Sequence, residues 1–265
     1  MFAQKAYQIK SYLQYLLRAK TKYYIHSAFV YELTEEVIYD QRRYYAFDDI
    51  AGVRGLLMAS DKTLLTCDYG AGTALGKGSA TRRVRDIART AAVPPSVGEL
   101  LFRLVHHFQP QYVLELGTSL GLGTMYMAMA ARNAQVISIE GCRATAGVAA
   151  QLFDKMRLSN IAPQIGNFDE ILPKVLDALP QVDIVFFDGN HRYEPTLRYF
   201  EWCLPKISPN TVFVFDDIYW SSDMARAWQH IQAHPAVSVT IDLYRVGIAF
   251  FRTGQAKENF TLYFA

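Results

Sequence analysis

Short, nearly continuous apolar segments alternate with amphipathic segments from about residue 96 onward. The apolar segments predict strands at 112–116, 135–140, 162–166, 182–188, 211–216, 238–244 and 247–252. The amphipathic segments between them predict helices at 121–132, 144–157, 168–178, 191–204 and 222–233. Such alternation is typical of a parallel sheet that helices cover on both faces. The last two strands are separated by so few residues that we expect them to form an antiparallel hairpin.

The first 95 residues lack this alternation and predict a helical extension. An amphipathic helix is predicted near the N-terminus, with apolar positions at Ile9, Tyr12, Leu13, Leu16 and Leu17. A second helix is predicted over 28–39. Ser96 and Glu99 then predict a capping box at the start of the next helix. We therefore divide the chain into a helical cap or lid region, 1–95, and a second domain, 96–265.

The composition narrows the class of protein. The chain is 51% hydrophobic and 20% charged, which excludes intrinsic disorder. Its net charge of +2 is divided into +5 over 1–95 and −3 over 96–265, and neither part is basic enough to indicate nucleic-acid binding. No apolar run is long enough for insertion across a bilayer. The cysteines, Cys67, Cys142 and Cys203, lack metal-type spacing and fit a reducing compartment, so we expect a cytoplasmic protein.

A glycine-rich sequence follows the first strand of the second domain. It runs Glu115-Leu-Gly117-Thr-Ser119-Leu-Gly121-Leu-Gly123, which is E-x-G-x-x-x-G-x-G. Ligands bind beyond the carboxyl ends of strands in such sheets, and glycines let a backbone approach a ligand closely. The carboxylate would repel a pyrophosphate and suit a cationic group, which distinguishes this motif from the G-x-G-x-x-G of dinucleotide binders. An ordinary strand-to-helix turn is the alternative.

Two more strand ends carry candidate ligand-binding residues. Glu140 ends the next strand, and an acidic residue at this distance from a glycine-rich turn is placed to bind both hydroxyls of a ribose. A solvated acidic residue is the alternative. Asn167 and Phe168 follow the third strand, where an aromatic ring with polar neighbours could bracket an adenine. Phe168 could equally belong to the core.

Several segments together resemble a known family. They are ELGTSLGLGT, VISIEG, GNFDE, VDIVFFDGNHRYEPTLRYFEWCLP and VFVFDDIYWSSDM. With the final hairpin they resemble the class I S-adenosylmethionine-dependent methyltransferases over residues 97–252. The two longest segments also resemble a bacterial group of O-methyltransferase-like proteins, of the kind seen in Bacteroidetes, and this similarity extends over the whole chain. The catechol and caffeoyl-coenzyme A O-methyltransferases are more distantly similar.

The resemblance implies a fold, a cofactor and the residues that bind it. The fold would be α/β, with a doubly wound, Rossmann-like, mostly parallel sheet of seven strands, an antiparallel C-terminal hairpin and a helical N-terminal extension. The cofactor would be S-adenosylmethionine. The residues implied to bind it are Glu115, Gly117, Thr118, Ser119, Gly121, Glu140, Gly141, Asn167, Phe168 and Asp188.

Metal-dependent members of the family have one Asp after the fourth strand and an Asp-Asn pair after the fifth. The matching residues here are Asp188, Asp216 and Asp217, so Asp replaces the usual Asn. Three oxygen donors at neighbouring strand ends suit Mg²⁺ or Ca²⁺, and capping of the following helices is the alternative. His191 stands where related enzymes have a lysine base, and a histidine can accept a proton near neutral pH. A solvated residue in a helical turn capped by Asn190 is the alternative.

A segment rich in glycine and arginine lies over 68–89. Its glycines, which give the backbone freedom to move, are Gly70, Gly72, Gly76 and Gly78. Its arginines, which pair well with carboxylate or phosphate, are Arg82, Arg83, Arg85 and Arg89. We interpret 68–83 as a mobile loop, 82–92 as a short basic helix, and 68–89 as part of a lid over the acceptor site. A solvated loop with a basic surface helix is an equal alternative.

Together these features predict a metal-assisted, S-adenosylmethionine-dependent O-methyltransferase that acts on a small-molecule hydroxyl, with His191 and Asp188 as catalytic residues. The lid arginines fit an anionic acceptor, and a homo-oligomer is compatible with the sequence. The alternatives are a cofactor-binding protein without turnover and a NAD-dependent oxidoreductase, although the chain lacks the G-x-G-x-x-G motif of the latter. A peripheral membrane protein that uses 5–22 is a further alternative, which the polar positions of that segment disfavour.

Overall fold

The computed structural model describes residues 2–67 and 79–264 as helices packed around a central sheet. The helices are α1 (Phe2–Arg18), α2 (Ala28–Leu33), α3 (Tyr45–Met58), α4 (Val84–Thr90), α5 (Pro95–Phe108), α6 (Leu122–Ala130), α7 (Arg143–Lys155), α8 (Phe168–Ala178), α9 (Tyr193–Cys203) and α10 (Ser222–Ala233). The strands are β1 (Thr63–Cys67), β2 (Ser79–Arg83), β3 (Tyr112–Leu116), β4 (Gln135–Glu140), β5 (Ile161–Ile165), β6 (Ile184–Phe187), β7 (Val212–Phe215), β8 (Val239–Asp242), β9 (Gly247–Phe250) and β10 (Glu258–Thr261). A π-helical turn, Thr34–Ile38, continues α2, and short 3₁₀ turns lie at Lys22–Tyr24 and Leu204–Lys206.

Eight of the described strands form one sheet in the order β10-β8-β9-β7-β6-β3-β4-β5. The strands from β7 to β5 are parallel to one another, whereas β9 runs antiparallel to both β7 and β8. The predicted mostly parallel, doubly wound sheet with a C-terminal antiparallel hairpin is therefore confirmed. The predicted seven strands are present, and β10 adds an eighth that pairs parallel to β8. Its sequence, Glu-Asn-Phe-Thr, is half-exposed at the sheet edge and so lacks the apolar run that marks the inner strands.

Neighbouring residues on the central strands point into different hydrophobic cores. On β3, Val113 belongs to the core that includes Leu100 of α5, on one face of the sheet. The next residue, Leu114, belongs to the core that includes Phe200 of α9 and Trp228 of α10, on the other face. Strands that are buried on both faces need apolar side chains at every position, which explains the continuous apolar segments in the sequence.

Helix α1 forms as predicted, but its apolar stripe does not face the core. Ile9 and Leu17 are 64% and 87% exposed. The helix is attached instead through Tyr15, which is 1% exposed and whose hydroxyl donates to the Leu262 carbonyl at 2.6 Å. The Phe264 amide donates to the same hydroxyl at 3.1 Å, so α1 is tied to the chain that follows β10. Neither α1 nor any other helix in the described ranges is long and apolar enough to cross a membrane.

The N-terminal region contains more than the predicted helices. Strands β1 and β2 form an antiparallel hairpin, and Leu64 of β1 packs into a third core together with residues of α3, α4, α6 and α7. Helix α3 was missed because Gly52 and Gly55 lower its helix propensity. Residues Ser79–Arg83, interpreted as the end of a mobile loop, form β2, and 68–78 lie outside the described residues. Because the third core includes elements from both sides of residue 95, the boundary at that residue stays a prediction.

The start of α5 differs from the prediction. Pro94 is the N-cap residue and Pro95 lies in the first turn, where its missing amide costs no helical hydrogen bond. Because the helix begins at Pro95, Ser96 lies inside it and is not its N-cap residue. The predicted capping box of Ser96 and Glu99 is therefore wrong. Glu99 instead pairs with Arg103 one turn later, at 3.2 Å.

Tyr15→Phe is expected to lower the free energy of unfolding by about 1–3 kcal/mol, because it leaves the buried Leu262 carbonyl without its donor. Tyr12→Phe is the matched control, since Tyr12 lies on the same helix but is 43% exposed. Urea denaturation of both variants and the wild type measures the difference. Equal losses of stability in the two variants would contradict the anchoring role of Tyr15.

Candidate active site

The carboxyl ends of β3, β4, β6 and β7 meet at one edge of the sheet, because these strands are parallel neighbours. The β3–α6 loop begins there with Gly117, whose φ of 115° lies in a region that L side chains rarely adopt. A Cβ at Gly117 would lie 2.4 Å from the Asp188 carbonyl oxygen, so glycine is required for this approach to the end of β6. Gly121, with a φ of 84°, is the N-cap residue of α6. The glycine-rich motif therefore forms a tight turn pressed against β6.

The Glu140 carboxylate joins the β3–α6 loop to the end of β4. Its Oε2 accepts from the Ser119 amide at 2.7 Å, and its Oε1 accepts from the Cys142 amide at 2.8 Å. Burial raises the pKa of Glu140, although the two amide donors partly offset the shift. An ionised carboxylate has about four acceptor positions. Glu140 and the half-buried Gly141 beside it therefore leave room for further hydrogen bonds to a ligand.

Glu115 lies underneath the loop and not on its surface. It is 1% exposed, and its Oε2 accepts from the hydroxyls of Thr124 and Ser138. A contact between the hydroxyls of Thr118 and Ser138 completes this buried group. Burial raises the pKa of Glu115 to about 7, despite the two hydroxyl donors. Glu115 thus supports the loop from within, and its contact with a cationic ligand group stays a prediction.

Asn167 and Phe168 lie where β5 leads into α8. The Asn167 Oδ1 accepts from the Asp169 amide at 3.1 Å and so caps the helix. The half-buried Phe168 ring packs edge to face on Tyr199, with 5.7 Å between the ring centres. A Cβ at Gly189 would lie 2.5 Å from the Phe168 ring, so this ring lies against the segment that follows β6. Phe168 therefore closes the core and also borders the site, and its contact with an adenine stays a prediction.

Three carboxylates lie together where β6 and β7 end. The Asp188 amide donates to the Leu116 carbonyl at 2.9 Å, and the Asp216 amide donates to the Phe187 carbonyl at 3.0 Å. Burial and the charges of Asp216 and Asp217 raise the pKa of Asp188 well above its usual range. Burial and Asp216 also raise the pKa of Asp217 to about 6. The structure therefore brings together the three acids that the sequence placed at separate strand ends.

Arg245, which sequence reasoning missed, lies among these acids. Its Nε donates to Asp216 Oδ1 at 3.0 Å, and its Nη2 donates to Asp216 Oδ2 at 2.9 Å. The same Nη2 lies 3.3 Å from Asp217 Oδ1. In the sequence, Arg245 is only a charged residue in the tight turn between two hairpin strands. The signal that could have found it is the register, because Gly247 of β9 pairs with Phe215 of β7 and brings the turn beside Asp216.

This arrangement does not fit the predicted divalent cation. Mg²⁺ and Ca²⁺ need oxygen atoms that can approach the ion to roughly 2.0–2.6 Å. Both oxygens of Asp216 accept from the guanidinium, and Asp216 is 1% exposed. Among the described residues, no group of three or more His, Cys, Asp or Glu side chains is placed to hold a metal ion. The geometry therefore does not support a metal role for Asp188, Asp216 and Asp217.

His191 lies beside Asp188 in the segment between β6 and α9. Its Nε2 is 3.8 Å from Asp188 Oδ1, and the two side chains are 20% and 15% exposed. Arg192 is the N-cap residue of α9, so His191 precedes the helix and Asn190 does not cap it. Asn190 Nδ2 instead donates to the Tyr199 hydroxyl at 3.3 Å. The predicted helical position of His191 and its cap by Asn190 are therefore wrong, and the imidazole faces a carboxylate at the strand edge.

The β1–β2 hairpin, part of which belongs to the predicted lid, lies beside the β4–α7 turn. The Cys67 amide donates to Cys142 Sγ at 3.4 Å, two residues after Glu140. Two of the lid arginines have local partners: Arg82 donates to Thr90, and Arg85 pairs with Asp61. The β1 strand, which immediately precedes the lid segment, thus borders the turn that follows Glu140. Its four glycines lie outside the described residues, and a lid over an acceptor stays a prediction.

Residues 114–218 match a family model described as a methyltransferase domain. A protein of Niastella koreensis named catechol O-methyltransferase is 32% identical over 130 residues, which cover 48% of this chain and 58% of the relative. A protein of Rattus norvegicus named transmembrane O-methyltransferase homolog is 32% identical over 107 residues, which cover 37% of this chain and 40% of the relative. This chain thus spans less than two thirds of the length of each of these curated relatives.

Two solved O-methyltransferase structures superpose on most of this chain. The O-methyltransferase of Bacillus cereus in complex with S-adenosylhomocysteine has a TM-score of 0.56 and 16% identity, and the match covers 84% of this chain and 97% of that chain. An O-methyltransferase of Streptomyces achromogenes involved in tomaymycin synthesis, in complex with S-adenosylmethionine, has a TM-score of 0.55 and 20% identity over 84% and 95% of the two chains. This chain has the class I methyltransferase fold. The resemblance to the class I methyltransferases inferred from the sequence is therefore confirmed.

The family match in this class I methyltransferase fold covers the predicted site but not Arg245. Every site residue predicted from the sequence, from Glu115 to Asp217, falls within 114–218. Arg245 lies beyond that range, on the C-terminal hairpin. The charge that it brings to the acidic edge therefore comes from outside the matched domain.

Glu115→Gln is expected to remove a pH dependence of stability. The pKa of Glu115 rises from 4.5 to about 7 on folding. Between pH 4.5 and about pH 7 the folded chain therefore carries one more proton at this residue than the unfolded chain does. As pH rises through this interval, the wild type should lose up to about 3 kcal/mol of unfolding free energy relative to the variant. Urea denaturation over a pH series measures this difference.

The control for this measurement is Glu32→Gln, which removes an exposed carboxylate from α2. Its pH dependence should follow that of the wild type. A constant difference between wild type and Glu115→Gln across the series would show that burial of Glu115 has no such effect.

Proposed function

We propose that this chain is an S-adenosylmethionine-dependent O-methyltransferase that acts on a hydroxyl group of a small molecule. The observation that carries the proposal is the position of two residue pairs at one sheet edge, Glu140 with Ser119 and Asp188 with His191. Gly117 connects them, because it packs against the Asp188 carbonyl. The relative named catechol O-methyltransferase and the solved structures with S-adenosyl ligands support the cofactor and the reaction class.

The β3–α6 loop and Glu140 fit an S-adenosyl cofactor. Glu140 keeps acceptor positions beyond its bonds to Ser119 and Cys142, and these suit the two hydroxyls of a ribose. The Phe168 ring, which lies against Gly189, offers an apolar surface to an adenine. The proposed binding set is completed by Glu115, Gly117, Thr118, Gly121, Gly141, Asn167 and Asp188. When bound, S-adenosylmethionine would supply the methyl group that the acceptor oxygen takes up.

His191 and Asp188 would activate the acceptor hydroxyl. The His191 Nε2 faces Asp188 Oδ1, which leaves Nδ1 to accept the hydroxyl proton. Asp188 would orient the imidazole and stabilise the imidazolium that forms. Loss of the proton makes the acceptor oxygen a stronger nucleophile. A divalent cation has no step in this scheme, since the geometry at Asp216 does not fit one.

A catechol or another hydroxylated small molecule is the proposed acceptor. The name of the Niastella koreensis relative makes catechols the first class to test. The prediction of an anionic acceptor depended on the lid arginines, of which Arg82 and Arg85 already have local partners. An anionic acceptor, a cytoplasmic location and a homo-oligomer stay predictions.

Glu140→Gln is expected to weaken S-adenosylhomocysteine binding about 10- to 100-fold, because a charge-assisted hydrogen bond to a ribose hydroxyl is worth roughly 1.5–3 kcal/mol. Titration calorimetry on the wild type and the variant measures the dissociation constants. Glu32→Gln is again the control and should bind as the wild type does. A wild-type chain that binds NAD but not S-adenosylhomocysteine would overturn the proposed function.

His191→Gln is expected to lower turnover about 10²–10⁴-fold, which is the usual contribution of a positioned general base. Affinity for S-adenosylhomocysteine should stay near the wild-type value, since His191 would face the acceptor. Release of S-adenosylhomocysteine with catechols and other hydroxylated small molecules measures turnover. The control is His230→Gln, at an exposed histidine on α10. Wild-type turnover in His191→Gln would remove this residue from the mechanism.

A further inference from the structure

Three carboxylates at the ends of β6 and β7 repel one another and need a positive group nearby. Asp216 is 1% exposed, and the side chains of Asp188 and Asp217 are 15% and 21% exposed. Water screens such charges poorly, so the cluster is costly unless a cation lies among them. A divalent metal ion can serve as that cation, and so can a guanidinium.

The backbone of the β8–β9 turn places Arg245 as this positive group. The Ile218 amide, just after the acidic pair, donates to the Arg245 carbonyl at 3.1 Å. The pairing of Gly247 with Phe215 holds the turn next to the end of β7. The guanidinium then reaches both oxygens of Asp216 in a bidentate contact, which a lysine cannot reproduce.

We propose that Arg245 takes the place of a divalent cation and makes the acceptor site independent of metal. The proposal rests on the proposed function in one respect, namely that the acidic cluster borders the site of the methyl acceptor. The guanidinium binds Asp216 and lies 3.3 Å from Asp217, so one permanent charge holds two of the three carboxylates. Asp188 stays available to orient His191. Arg245 is thus a positioning residue that acts through the carboxylates.

The same geometry disfavours metal binding for a physical reason. A divalent cation at Asp216 would have to lie directly beside the guanidinium that already binds both oxygens of a carboxylate that is only 1% exposed. Two cations on one carboxylate also repel each other strongly at low dielectric. Arginine remains charged at every pH at which the chain is folded, so deprotonation cannot make room for the ion.

Replacement of Arg245 should therefore create a metal site. Arg245→Ala leaves Asp188, Asp216 and Asp217 without their cation. The variant should therefore bind one Mg²⁺ or Mn²⁺ per chain at least about tenfold more tightly than the wild type. Titration calorimetry with MgCl₂ and electron paramagnetic resonance with MnCl₂ measure this on the full chain, without cofactor or acceptor. Arg245→Lys keeps a positive charge and should gain no site.

Two further variants control the titration. Arg226→Ala removes an exposed arginine that pairs with Asp223, outside the cluster, and should gain no metal site. Arg245→Ala combined with Asp217→Ala lacks one oxygen donor and should lose the site that the single variant gains. This pattern would not follow from a purely structural role of Arg245, because misfolding alone creates no carboxylate-dependent metal site.

Saturable binding of one Mg²⁺ or Mn²⁺ by the wild type, abolished by Asp217→Ala, would overturn the proposal. The wild-type titration tests the proposal even when Arg245→Ala fails to fold. Lack of such binding by the wild type supports the proposal. A folded Arg245→Ala chain without a new site would also overturn it, whereas Mg²⁺-dependent recovery of its melting transition would support it. Titration of the same samples with S-adenosylhomocysteine tests the proposed function separately.

Discussion

The ion pair between Asp216 and Arg245 is the interaction on which the acidic edge of the sheet depends. Asp216 is almost fully buried, and both of its oxygens accept from one guanidinium. Removal of one partner from such a pair is strongly destabilising, because the other charge is left buried and unpaired. The pair also connects the end of β7 to the β8–β9 hairpin. The charge balance at this end of the sheet is therefore set by one contact.

The remainder of the site is assembled mainly by backbone groups. Gly117 brings the β3–α6 loop against the Asp188 carbonyl, and the Ser119 amide draws Glu140 towards the same loop. The Asp188 amide is itself held by the Leu116 carbonyl of β3. Side chains from three different strands thus occupy positions that the parallel register determines. A rigid edge of this kind can hold a ligand-binding half and a proton-accepting half at a constant separation.

The sequence by itself determined the fold class and the candidate residues at the strand ends. Strands buried on both faces must be apolar throughout, so their positions along the chain and their ends are visible as apolar runs. The glycine at position 117 and the acids at 140 and 188 follow directly from those ends. The N-terminal region was less predictable, because its helices and hairpin pack on one another and on the domain through mixed surfaces. Helix α1 shows this, since Tyr15 is buried and the apolar stripe with Ile9 and Leu17 is not.

Only the tertiary structure decided which groups the charged residues face. Glu115 points inward to Thr124 and Ser138, although its position in the motif suits a ligand contact equally well. Asp216 meets Arg245 because β9 lies between β7 and β8, an order that local periodicity does not encode. A metal site was predicted because the sequence shows the three acids but not their partner. The physical reason is that a cluster of carboxylates in the sequence indicates only that a cation is needed. Which cation lies beside them depends on the residues that the fold brings near.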